Sequence, residues 1–443
     1  MVRPQHDNSH SFANAGDADK DRNRSAGPNP KESIALCKNR DSDSLGDRVG
    51  AVSAISPSQW GQFVVSVKPP FPIDVLALGA DYQNTVCAGR GQSALMSDIH
   101  GDLHRPAEFR RFLESSAKLE RQVGNGSLVV GHDLHPNLLS SLHARRLGRM
   151  SRRRAAVQHH HAHAVSCALD TGLDLPVIAV VCDGSGYGLD GAIWGGEILS
   201  CGAETFSRLA HLDYFPLPGG EESTRSPWRS AMGVVFASMP DDWPWVSVPT
   251  FSGVDAEQRR VATRQLESGR QTKPTSSLGR LFDAVAVLLE LCRDDTQEGQ
   301  AARALEALAG LHEAPPYRVS LDGLASALGS EHPPVRLNWR PMIREIIADI
   351  GRGMDSAIIC ARFHATIVTM LAEATEWSVR TTGIDRVALS GGCFANQRLR
   401  DGLIVELRKR GIEARSHGRV PTGDAGLSLG QAYIASCVAA KSR

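Results

Sequence analysis

Four of the five residues from 159 to 163 are histidines, in the run His159-His160-His161-Ala162-His163. His159 and His163 are four apart, and a helix over 157–169 would put both imidazoles on one face, one turn from each other. Two ring nitrogens so placed can share a divalent cation. Imidazole suits iron or zinc, and a carboxylate commonly completes such a set. A lone histidine is more often structural, but four in five residues are hard to account for by packing. The plain alternative is a histidine cluster on the surface. His160 and His161 would leave the same helix in other directions, where they could act on a substrate.

Three acidic or glycine-rich segments are the other candidates. Asp183 closes an apolar run and opens Asp183-Gly184-Ser185-Gly186. A carboxylate there is rigidly held, and Gly184 and Gly186 allow a phosphate to lie against backbone because they carry no Cβ. An ordinary Asp-Gly hairpin turn has the same sequence. Ser390-Gly391-Gly392 with Asn396 follows similar logic: the glycines admit a base or ribose and the amide reads a polar edge, or the segment is simply a strand-to-helix turn. Asp424, in Pro421-Thr422-Gly423-Asp424-Ala425-Gly426, precedes an apolar helix. It is placed to cap that helix, where the dipole favours a carboxylate, or to act as a second metal carboxylate. Arg145, Arg146, Arg149, Arg152, Arg153 and Arg154 form a basic run that reads by default as a solvated helix face; an acidic partner or a phosphate would also suit it.

The elements that must position these groups read as α/β. Ile73–Leu78, Val177–Val181 and Val387–Ser390 are buried-strand patterns, each ending at glycine, and the strand-turn-strand pattern near 73–88 recurs about a hundred residues later. Helical patterns cover 281–291, 301–311 and 358–379, and alternation of the two types implies mixed sheets with helices packed on them. Residues 1–71 are rich in Asp, Asn, Ser, Arg and Gly, which predicts a disordered segment with at most a short ordered piece near 60–67. The remaining 72–443 is expected to divide into lobes of about 72–200, joined by the C-terminal helix, and about 201–430. The 443 residues carry 49 basic and 49 acidic side chains. That neutral balance supplies no global field for nucleic acid or anionic membrane. No apolar run reads as a membrane span, and the polar first ten residues do not resemble a signal peptide, so the cytoplasm is the expected compartment. The nine cysteines include no Cys-x-x-Cys pair and read as buried, reduced thiols.

The histidine run with Gln158 resembles the signature of the HypF carbamoyltransferases of nickel–iron hydrogenase maturation, and further motifs follow in that family's order. They are Leu76-Ala77-Leu78-Gly79-Ala80 with Asn84-Thr85, Gly101-Asp102-Leu103, Asp133-Leu134-His135-Pro136, Asp183–Gly188 with Trp194-Gly195-Gly196-Glu197, Pro216–Gly220 with Pro227-Trp228-Arg229, Gly279–Val285, Glu298–Ala302, Ser390–Asn396 and Leu429-Gly430-Gln431-Ala432. Together they cover 72–443. The resemblance implies a TsaD-like module of the actin, heat-shock and sugar-kinase superfamily (ASKHA), with two ribonuclease-H-like lobes facing a nucleotide cleft. It implies transfer of the carbamoyl group of a carbamoyl adenylate, made from carbamoyl phosphate and ATP, to the C-terminal cysteine of a HypE-like acceptor. It places a metal on His159, His163, Asp183 and Asp424, and nucleotide contacts on Gly184, Ser185, Gly186, Asp283, Gly391, Gly392 and Asn396. The family's acylphosphatase, zinc-finger and YrdC-like domains do not fit in 1–71. The chain therefore reads as the transfer half alone, with carbamoyl adenylate supplied by a separate YrdC-like protein or a full-length HypF. Where the family usually has Asp-Gly-Gly, this chain has Asp424-Ala425-Gly426. Competing readings are O-carbamoyl transfer to a sugar, threonylcarbamoyl transfer to tRNA, and a non-catalytic nucleotide-binding assembly subunit. The histidine run favours the hydrogenase branch, and the neutral charge disfavours tRNA.

Overall fold

Alternating burial marks the first strand. The computed structural model describes residues 63–123, 128–148, 153–240, 249–292, 299–322 and 333–442. The segment expected to be disordered lies outside these residues up to position 62, but its last part is strand. β1 (Phe63–Ala77) starts ten residues before Ile73, with Val65 and Val67 buried and Val64 and Ser66 facing out. Pro69 and Pro70 hid this half of the strand, because proline has no N–H for a ladder and breaks the alternation. Pairing with β2 (Cys87–Met96) accordingly shifts register between Ser66 and Phe71.

α1 (Pro106–Val123), β3 (Val129–Asp133), α2 (Leu139–Gly148) and β4 (Arg153–Val157) complete the first lobe. Its sheet has the order β2-β1-β3-β4, with β2 antiparallel to β1, and β3 and β4 parallel to it. α3 (His159–Thr171) leads to the second lobe, which opens with β5 (Val177–Tyr187), β6 (Ile193–Cys201), β7 (Phe206–Leu212) and β8 (Phe215–Pro218). α4 (Pro227–Ser238), α5 (Ala256–Ser268), β9 (Thr272–Thr275), α6 (Leu278–Leu288), α7 (Gln300–Ala309), β10 (Ser320–Asp322), β11 (Val335–Asn338), α8 (Arg340–Gly351) and α9 (Ser356–Thr382) follow. β12 (Val387–Ser390), α10 (Gln397–Lys409), β13 (Ala414–Ser416) and α11 (Leu427–Lys441) close the chain.

The large sheet runs β10-β11-β7-β6-β5-β12-β13, with β9 joining β6 to β8. Around β5 it repeats the first sheet: β6 is antiparallel to β5, and β12 and β13 continue in parallel. β7 adds a further antiparallel strand beyond β6. This is the ribonuclease-H-like arrangement used twice, and the two-lobed α/β fold expected from sequence is present. The division falls elsewhere, however. β5 and β6 pair with β12 and β7, so the lobes part at α3 and not near residue 200.

α3 and α11 lie between the sheets. Ala162, Val165 and Leu169 of α3 pack with Leu427, Leu429 and Ile434 of α11 and with β1. Ala164, Cys167 and Ala168 on its other side pack on Val177, Ala179 and Val181 of β5. A helix covered on both sides has no exposed face, so all four histidines are buried and the surface-cluster reading does not apply. α9 is long and apolar enough to cross a membrane by composition, but 67% of that stretch is buried inside the fold. Phe363, Ile367 and Met370 place it in the main core. The arginine run is not one helix face: Arg145 and Arg146 end α2, Arg153 and Arg154 lie in β4, and Arg149 and Arg152 fall outside the described residues. The eight described cysteines are free thiols.

Candidate metal centre

The start of α3 fixes the geometry. Gln158 has an extended backbone, and its side-chain oxygen accepts from the His161 amide at 2.8 Å, which caps the helix and places His159 in its first turn. His163 follows one turn later, with ring centroids 4.9 Å apart.

Asp183 reaches these rings because β5 bulges. Cys182 pairs with Gly196 and Gly186 with Trp194, so three residues of β5 face a single residue of β6. The expected hairpin turn at Asp183–Gly186 is therefore a bulge within a continuing strand, and the chain reverses later, at 188–192, where Gly191 has φ +78°. Ser277, the cap of α6, clamps the bulge by donating to the carbonyls of Asp183 (3.0 Å) and Gly184 (2.7 Å). Oδ1 of Asp183 accepts from the amides of Gly184 at 2.8 Å and Gly392 at 3.2 Å. That leaves Oδ2 facing Nε2 of His159 at 3.3 Å and Nε2 of His163 at 3.1 Å. Gly391 makes the second approach possible. Its φ is +101°, and a Cβ there would strike the carbonyl of Cys182.

Asp424 comes from the opposite end of the chain. It stands in the short first turn that leads into α11, and its Oδ1 is 3.4 Å from Nε2 of both histidines. The two nitrogens and two carboxylates lie within 4.8 Å of one another. Ligands about 2.0–2.1 Å from a tetrahedral zinc sit about 3.4 Å from each other, which is the spacing of these contacts. His163 is buried, and neither of its ring nitrogens makes an aligned hydrogen bond. His159 is oriented from behind: its Nδ1 donates to Asp133 Oδ2 at 2.8 Å, the usual outer partner of a metal-binding imidazole. Among the described residues no Lys or Arg pairs with Asp183 or Asp424. The donor set therefore fits a divalent cation in chemistry, spacing and charge.

The electrostatics agree. Burial works to lower the His159 imidazole, but the charges of Asp424 and Asp133 hold it well above its ordinary value. His163 is raised against burial by Asp183 and Asp424. Both carboxylates are lowered against burial by the two imidazoles. In the metal-free protein the carboxylates thus favour the protonated form of both rings.

The other candidates divide. His160 is enclosed, with Nε2 3.4 Å from Glu197 Oε2. The missing Cβ of Gly186 makes room for its ring. His161 turns away: Nε2 bonds the Gly202 carbonyl at 2.8 Å and the ring packs on Phe206. Neither has the substrate-facing position expected for a catalytic residue, because α3 is buried on every side. Asn396 is also committed, its oxygen accepting from the Leu399 amide at 2.9 Å and its nitrogen bonding His364 Nε2 at 3.1 Å. It caps α10 and is not free to read a ligand. Gly184, Ser185, Gly391 and Gly392 do gather beside Asp183, in the bulge and the turn. Asp283 is buried on α6, paired to Arg280 at 3.0 Å, and Arg280 approaches Gly184. Two groups carry a role their motifs did not announce. Asp133 ends β3, beside the strand that feeds α3. Glu197 faces His160 from β6 and is paired with Arg208 at 2.9 Å.

Two adjoining family models match this chain: a HypF Kae1-like domain over 72–170, and the second subdomain of a carbamoyltransferase Kae1-like domain over 179–431. They meet at α3, where the sheets part. The carbamoyltransferase HypF2 of Cupriavidus necator is 36% identical over 381 residues, 82% of this chain and 46% of that protein. A carbamoyltransferase HypF homolog of the same organism is 36% identical over 374 residues and is covered over 91% of its length. A crystal structure of full-length HypF in its phosphate- and nucleotide-bound form has TM-score 0.76 and 34% identity, over 85% of this chain and 48% of that one. The chain thus spans about half the length of several relatives it matches. It belongs to the HypF carbamoyltransferase family.

Proposed function

We propose that this chain transfers a carbamoyl group in nickel–iron hydrogenase maturation, from a carbamoyl adenylate to the C-terminal cysteine of a HypE-like acceptor. The observation that carries the reading is the ring of His159, His163, Asp183 and Asp424 beside the Gly391–Gly392 turn. In transfer, the acceptor sulfur bonds to the carbamoyl carbon while the carbon–oxygen bond to the adenylate phosphate breaks, and AMP leaves. The thiolate form of the cysteine is the nucleophile, so no proton need move in that step. Gly184, Gly391 and Gly392, lacking side chains, let the phosphate and ribose come close to the backbone beside Ser185 and Asp183, with Asp283 and Arg280 behind the bulge. A bound divalent ion, iron or zinc, supplies charge that makes the phosphate a better leaving group. A YrdC-like protein or a full-length HypF supplies the adenylate.

The direct test mixes this protein with purified acceptor and carbamoyl adenylate and follows the acceptor's mass. Gain of one carbamoyl group on the terminal cysteine is expected, with none on an acceptor carrying serine there. No transfer, where a full-length HypF succeeds, contradicts the proposal.

A further inference from the structure

Behind the metal residues lies a second chain of polar groups. Ser390 Oγ is 2.8 Å from Nε2 of His417, and Nδ1 of His417 is 3.5 Å from Asp170 Oδ2. All three side chains are buried. They join three segments. Ser390 ends β12 at the glycine turn, Asp170 lies two turns beyond His163 on α3, and His417 opens the loop that leads to Asp424. Asp170 also accepts from the amides of Gly418 (2.7 Å), Arg419 (3.1 Å) and Val420 (3.1 Å). Burial keeps His417 below its ordinary pKa, so the ring is neutral. Ser390 then donates to Nε2, while Nδ1–H faces Asp170 across 3.5 Å without an aligned hydrogen bond.

A Ser-His-Asp sequence of contacts suggests a nucleophile, but the surroundings exclude one. Ser390 is fully buried. The amides that could hold an oxyanion are already engaged: Gly391 N–H donates to the Thr422 carbonyl at 2.9 Å, and Gly392 N–H to Asp183 Oδ1 at 3.2 Å. Those two bonds show what the relay supports. One holds Asp183, and the other holds the loop two residues before Asp424. Both carboxylates lean on the turn that Ser390 begins.

We propose that Asp170, His417 and Ser390 form a positioning relay that sets both metal carboxylates, Asp183 and Asp424, against His159 and His163. The inference rests on the metal reading above. Its test is titration of the metal-free chain with Zn2+ against a chromophoric chelator, and with Co2+ followed by visible absorption, which reports ligand geometry. Ser390→Ala and His417→Ala should weaken Zn2+ binding about 10–100-fold, the range for outer partners of a metal site, and alter the Co2+ spectrum at saturation. His417→Gln keeps an acceptor for Ser390 and a donor for Asp170, and should restore most of both. If the parent protein binds neither ion, the metal reading itself fails. If it binds both, and the Ser390→Ala protein matches it in affinity and spectrum, the relay is wrong and the metal reading stands. Weaker binding with an unchanged Co2+ spectrum also counts against positioning. Should His417→Ala not fold, Ser390→Ala decides, because it removes a single hydroxyl.

Discussion

Two buried acid–base clusters grow from one turn of α3, and they solve the same electrostatic problem differently. His159 and His163 face Asp183 and Asp424, with Asp133 behind, and among the described residues no Lys or Arg pairs with Asp183 or Asp424. His160, one residue along, faces Glu197, which has Arg208 at 2.9 Å. Arg208 is itself held over the Trp194 ring at 4.1 Å and hydrogen-bonds Tyr214 and Asp190. A buried carboxylate is costly without a compensating charge. Glu197 finds part of that charge in Arg208, while burial still pushes its carboxyl up to about 7. Asp183 and Asp424 have the two imidazoles, whose protons a divalent ion can replace. On the proposed reading, adjacent histidines serve a ligand site and a structural site.

The contrast can be broken from either side. The largest effect is expected from Asp183→Ala or His163→Ala, which should reduce Zn2+ affinity by more than the roughly 100-fold that outer partners reach, measured by chelator competition. Arg208→Ala should do the opposite: it removes the partner of Glu197, which burial then favours in its protonated form, and should cost about 1–3 kcal/mol of stability in a denaturant titration, with Zn2+ affinity near that of the parent. An Arg208→Ala protein that loses metal but not stability would dissolve the distinction. Asp133→Asn should fall between, weakening metal binding about 10–100-fold by loosening the His159 ring. The smallest effect is in pH. His159 and His163 are raised in the metal-free protein, so their contribution to stability is full below about pH 6.5 and is lost as pH rises through the folded values. Metal binding displaces those protons and should strengthen over the same interval. Stability of the metal-free chain should therefore fall across this window while Zn2+ affinity rises. Parallel curves for parent and His163→Ala would contradict the assignment.

Much of this site was legible from residue types. The four-residue spacing of His159 and His163 needs only a helix to have meaning, and Asp183 ends an apolar run whose burial is plain. Asp424 had two readings in sequence, and the fold, which brings the start of α11 against α3, adds its closeness to both histidines. The burial of His160 and His161 was not legible, because spacing gives direction from a helix axis but not what covers it; α11 and the large sheet leave α3 no open face. The capping bond of Asn396 was hidden for a similar reason, since a capping side chain and a ligand-reading one look alike until partners are seen. The strand preceding Ile73 was concealed by two prolines. The lobe boundary was misplaced because pairing of β5 with β12 links residues about two hundred apart.

The central claim is that one buried cluster takes a divalent ion and the other does not. Titration of metal-free protein with Zn2+, run in parallel on the parent, on His163→Ala with Asp424→Ala, and on Glu197→Gln, tests it most directly. The account predicts one ion per chain for the parent and for Glu197→Gln, and no stoichiometric binding by the double variant. Equal binding by all three, or none by the parent, would contradict it.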